Sequence, residues 1–71
     1  MANNSTFIIA LYGGGQFQGY AKSISVYHQK VKSTPSRSDA KRYSTFDRAA
    51  GEADIVAALT NGGLVCSIEE I

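Results

Sequence analysis

Three consecutive glycines, Gly13-Gly14-Gly15, separate two runs that read as strands, and no other feature constrains the fold as strongly. Thr6 to Tyr12 is rich in β-branched and aromatic residues and too short for a helix. Its near-continuous apolar character predicts a strand buried on both faces. Gln16 to Val26 alternates over part of its length. Gln18, Tyr20, Lys22, Ile24 and Val26 fall on one face, and Phe17, Gly19, Ala21, Ser23 and Ser25 on the other. Gly19 is the expected place for a bend or bulge. Glycine accepts the positive φ that tight hairpin turns need, so the glycine run predicts a β-hairpin. A phosphate-cradling loop would need these glycines to feed a helix N-terminus. Here a strand follows, and neither G-x-G-x-x-G nor a closing Gly-Lys-Ser/Thr is present. A flexible tip that touches a partner is the remaining functional reading.

Downstream, Tyr27 to Lys32 either continues the second strand or forms a third. Ser33 to Ser38 is a polar loop in which Pro35 stops regular pairing. Asp39 to Tyr43 reads as a compact turn. A helix over about 45–60 follows, with Phe46, Ala49, Ala50, Ala53, Val56, Ala57 and Leu59 or Thr60 at helical spacing. Ser44 and Thr45 are both suitable N-caps, and Asp47 lies three residues after Ser44 in the manner of a capping box. So many alanines favour close approach to a sheet, and close packing is the expected reason for Gly51. Asn61-Gly62-Gly63 ends the helix. In the final strand, Leu64 to Ile68, the residues Leu64, Cys66 and Ile68 share one face.

The expected fold is a single α+β two-layer domain with element order β-β-(β)-α-β. One helix packs on a three- to four-stranded antiparallel sheet. The expected core is Phe7 or Ile8, Ile9, Leu11, Ile24, Tyr43, Phe46, Val56, Leu59, Leu64 and Cys66. Residues 1–5 read as a frayed end. A chain of 71 residues leaves a thin stability margin, and its single cysteine, Cys66, allows no internal disulfide. Self-association, as a homodimer, is one way to widen that margin. The apolar run at Phe7–Tyr12 is far too short to span a bilayer and lacks a signal peptide's basic start. A cytoplasmic setting suits the free thiol.

The formal net charge is +1, but all seven basic residues lie between Lys22 and Arg48. Four of the six acids follow them, which makes a basic middle and an acidic C-terminal third.

The stretch Asp39-Ala40-Lys41-Arg42-Tyr43-Ser44-Thr45, the Ala-rich run to Leu59 and the closing Leu-Val-Cys-Ser-Ile-Glu-Glu-Ile share a cadence. A β-hairpin precedes "D-A-K-R-aromatic", then Ser or Thr, an Ala-rich helix and a short strand. This resembles many very small proteins of bacteriophages and prophages, in outline over residues 6–71. The resemblance implies a mobile-element origin and a host-cell cytoplasmic location. It also implies a role docking on a host machine, with anti-CRISPR-type inhibitors among the examples. It carries over no contact residues.

Three classes of site compete. Acid–base or nucleophilic catalysis would rest on His28 and Cys66. A lone strand or loop histidine and a mid-strand thiol are more commonly structural, so no enzyme activity, cofactor, metal or small-molecule substrate is expected. Nucleic-acid binding would use the basic segment 22–48, above all Lys30, Lys32, Lys41 and Arg42, with Tyr20, Tyr27 and Tyr43 interleaved. Protein docking would use Tyr12, Tyr20, Tyr27, Arg37 and Arg42, residue types favoured at interface centres. Docking on a host protein complex, one that handles nucleic acid in defence, is the leading expectation, and a nucleic-acid-binding accessory protein is the alternative.

Overall fold

A computed structural model describes residues 5–71. Four strands and one helix follow in the order β1 (Phe7–Gly13), β2 (Gln16–Ser25), β3 (Lys30–Thr34), α1 (Phe46–Leu59) and β4 (Val65–Glu70), with a 3₁₀ turn at Arg37–Asp39. The sheet is antiparallel throughout, in the spatial order β3-β2-β1-β4. The expected α+β architecture is therefore observed, with a fully formed third strand. The expectation for residues 1–4 lies outside the described residues. Ser5 donates its hydroxyl to the Glu70 carboxylate at 2.6 Å, and the Ile71 amide donates to the Thr6 carbonyl.

β1 is central, and burial of Ile8, Ile9, Ala10 and Leu11 is complete or nearly so. The β1–β2 hairpin closes through Gly14 and Gly15, both at positive φ (60° and 78°). Two consecutive positive-φ residues match the right-handed twist of the flanking strands. The glycine run turns a corner between strands, as its sequence context requires.

β2 departs from simple alternation twice. One irregularity lies opposite Leu11/Tyr12 and the other between Ala21 and Ser23. Gly19 sits at the first with φ 108°, and a Cβ there would lie 2.9 Å from the Thr34 carbonyl oxygen. The bulges overturn the expected division of faces. Phe17 and Tyr20 come to one side, since they pair with Tyr12 and Ala10. Ala21 and Ile24 come to the other, against the helix. β2 ends at Ser25, and Val26 lies exposed in the turn Val26–Gln29 that precedes β3. Gln29 takes φ 54° to close that turn.

The helix-side core contains Ile9, Leu11, Ala21, Tyr43, Ala49 and Val56, with Ile24, Leu64, Cys66 and Ile68 packed against it. Phe46 is a correction: it is 55% exposed. It occupies the first helical position, where its ring packs T-shaped against Phe7 (centroids 6.0 Å apart). The cap is also simpler than expected. Thr45 is the N-cap and accepts from the Arg48 amide at 3.2 Å, so residue N3 is Arg48 and no capping box forms. Asp47 stands in the first turn, at the positive end of the helix dipole. At the far end Asn61 and Gly62 adopt positive φ, and the Gly62 amide reaches back to the Ala57 carbonyl. A Cβ on Gly51 would meet nothing within 4 Å. Close packing is thus not its reason, and nothing in the fold explains it.

The segment between β3 and α1 threads the splayed end of the sheet. The Lys41 amide bonds to the Ala21 carbonyl, and Tyr43 exchanges two backbone hydrogen bonds with Phe7. The expected compact turn at 39–43 is not one: the 3₁₀ turn ends at Asp39, Ala40 is extended, and the chain runs on to this bridge at Tyr43.

Candidate functional site

One face of the sheet is covered by α1; the other is divided into three regions. Strand pairing sets Val65 of β4, Tyr12 of β1 and Phe17 of β2 in one row across that second face. Tyr20 stands beside them. The Phe17 ring meets Tyr12 edge-on at 5.6 Å and Tyr20 at 5.1 Å. Val65 is 65% exposed and Phe17 48%. Tyr12 and Tyr20 are half-buried. The bulge at Gly19 creates this row, because unbroken alternation from Phe17 would send Tyr20 to the helix side.

Farther along the same face, toward the start of β1, Ile8 and Ala10 are fully buried yet lie outside the helix-side core. Arg37 pairs with Glu69 at 3.5 Å, and Glu69 lies opposite Ile8 in register. The Arg37 side chain, from the 3₁₀ turn, thus reaches this end of the face. Both partners are partly exposed, so the ion pair contributes little stability of its own.

The third region is the β2–β3 hairpin. Ser23, Ser25, His28, Lys30 and Lys32 line one groove of about 380 Å³. Lys30 pairs in register with Ser25, and Lys32 with Ser23. Tyr27 is 91% exposed at the turn, with its ring edge-on to His28 at 5.0 Å.

A separate groove of about 520 Å³ runs between α1 and the segment before it, with Arg42, Arg48, Gly51 and Ile55 among its walls. Lys41 there is bound to Glu52 at 3.1 Å and lies 5.4 Å from the Tyr43 ring centre. Tyr43 is buried, and burial, reinforced by Glu52, pushes its phenol well above the ordinary tyrosine range. It is a core residue and no stacking platform.

Of the expected docking anchors, the structure brings Tyr12 and Tyr20 together and places Arg37 on the same face. Tyr27 belongs to the distal hairpin, and Arg42 lies by the helix-side groove and a second groove shared with Arg37 and Ile71. The alternative set also divides: Lys30 and Lys32 share a groove, while Lys41 is tied to Glu52. Phe17 and Val65 escaped the sequence reading. Gly19 was the signal that could have found Phe17, because a bulge there reassigns its face.

Cys66 and His28 do not form a nucleophile–base pair. The Cys66 sulfur faces the helix, 3.8 Å from the Ala53 carbonyl, whereas His28 lines a groove on the opposite face. Burial first, then Asp54, raises the thiol's pKa, which opposes thiolate formation. Among the described residues no three of His, Cys, Asp and Glu converge as a metal site. No helix among them is long and apolar enough to cross a membrane. Comparisons with protein-family models, with curated proteins and with solved structures give no match.

Proposed function

We propose that this protein is a non-enzymatic docking domain that binds a protein partner through the row Val65–Tyr12–Phe17–Tyr20. One observation carries the reading: an apolar and aromatic row, free of charged side chains, with Phe17 and Val65 exposed and Tyr12 and Tyr20 half-buried beside them, lies on a sheet whose other face is already filled. Aromatic residues on a rigid sheet bury large area at small entropic cost, and interface centres are rich in them. The Arg37–Glu69 pair and Lys32 give the row a polar surround on the same face. The concrete form is a small phage or mobile-element protein that blocks a host protein complex by occupying a surface another subunit needs. The cadence of residues 39–59 supports that form.

The test is affinity capture of the tagged protein from a bacterial host lysate treated with nuclease, run beside Val65→Asp. A stoichiometric partner held by the wild type and lost by the variant supports the reading. Equal capture by both moves the interface off this row. No stoichiometric protein partner from any plausible host removes the inhibitor form.

A further inference from the structure

We infer that the β2–β3 hairpin is a binding site for the phosphate backbone of single-stranded nucleic acid, with Tyr27 offering a ring to a base. The site is distinct from the aromatic row and does not depend on the docking reading. Its groove is lined by Ser23, Ser25, His28, Lys30 and Lys32. Its side-chain chemistry is dominated by hydrogen-bond donors, and no carboxylate lines it. Among the described residues, the ion pairs are Arg37–Glu69 and Lys41–Glu52. Lys30 and Lys32 therefore have no carboxylate partner within 4.0 Å. The Ser25 hydroxyl oxygen accepts from the His28 amide, which leaves its proton to donate outward. Ser23 stands opposite Lys32 in register and Ser25 opposite Lys30, so a row of hydroxyls on β2 faces a row of ammonium groups on β3 across the groove.

An oxyanion suits such a donor set, and its geometry favours a polymer over a single ion. Lys30 and Lys32 project from one face of an edge strand, about 6.7 Å apart along it. They form a track, not a closed cage. At the end of the track Tyr27 is 91% exposed. A ring so placed satisfies no core, and base–aromatic stacking tolerates any sequence. A lysine track beside an exposed ring is the pairing of backbone neutralisation and stacking that single strands use. A plain phosphate polymer would use the lysines but not the ring.

The probe is a fluorescently labelled oligothymidylate of about 12 nucleotides, titrated with the full chain at about 50 mM salt and read by anisotropy. A dissociation constant on the order of 10⁻⁵ M is expected. With two phosphates neutralised, raising salt to about 200 mM weakens binding roughly sevenfold. Lys30→Gln with Lys32→Gln should abolish most of that salt dependence and weaken binding at least as much, with the circular dichroism spectrum unchanged. Tyr27→Ala should weaken binding about fivefold or more, while leaving competition by inorganic polyphosphate intact. Absence of binding, or binding indifferent to the two lysines, overturns the proposal. Equal affinity for polyphosphate together with no effect of Tyr27→Ala overturns the nucleic-acid assignment. Val65→Asp should leave oligonucleotide binding intact, so failure of the docking row and failure of this site are told apart.

Discussion

The two faces of one sheet are used differently. On the helix side, Ile9, Leu11, Ala49 and Val56 exclude water and hold the fold together. On the other side, Ile8 and Ala10 are also buried, while Phe17 and Val65 stay exposed with Tyr12 and Tyr20 half-buried beside them. The first face is explained by stability alone. The second places large apolar groups where they contribute less to folding than the same groups would if buried. A domain this small has little burial to spare, so a row left uncovered is better explained by a binding surface than by the core.

The contrast can be broken most severely from the covered face. Ile9→Ala deletes a fully buried side chain and should cost about 2–5 kcal/mol in urea denaturation, a large part of a margin this small. Gly19→Ala strikes the bulge that sorts β2 between the faces. It meets both a positive φ and a backbone oxygen at 2.9 Å, so about 2 kcal/mol or more should be lost. Gly51→Ala goes the other way. The new methyl has open space, and the domain should gain about 1 kcal/mol from helix propensity. A loss of stability there would mean that Gly51 is constrained by something other than its own surroundings.

The smallest effect concerns pH. Burial holds Tyr43 and Cys66 in their protonated forms, so their folded-state pKa values stand above the unfolded ones. Their contribution is complete below the unfolded values. It fades once the unfolded chain begins to ionise, from about 9 for the thiol and about 10 for the phenol. Their contribution should therefore be constant across neutral pH and fall in alkali. Tyr43→Phe should flatten the part of that fall above about pH 10. An unchanged alkaline slope in the variant would assign the fall to other groups.

The sequence made some of this legible and hid the rest for physical reasons. The central strand, the glycine turn and the helix with its Asn-Gly stop follow from local patterns, which need no knowledge of distant residues. The α+β class follows from their order. The open row did not emerge because its membership depends on register. The bulge in β2 at Gly19 shifts Phe17 and Tyr20 onto a common face, and strict alternation separates them. Val65 joins only because β4 pairs with β1 so that it faces Tyr12. Phe46 misled for a related reason: helical periodicity assigns a face, but it does not say whether the sheet extends far enough to cover the first turn. Lys30 and Lys32 were visible as charges. Their convergence with Ser23, Ser25 and His28 required the hairpin to close.

On the proposed function, the row Val65–Tyr12–Phe17–Tyr20 binds a protein, and its exposed members add little to the stability of the fold. The most direct measurement pairs a urea denaturation curve with nuclease-treated affinity capture, for wild type and Val65→Asp. Val65 is 65% exposed, so the variant should keep its stability within about 0.5 kcal/mol and lose its protein partner. A variant that unfolds, or one that stays folded and captures the same partner in the same amount, would contradict the claim.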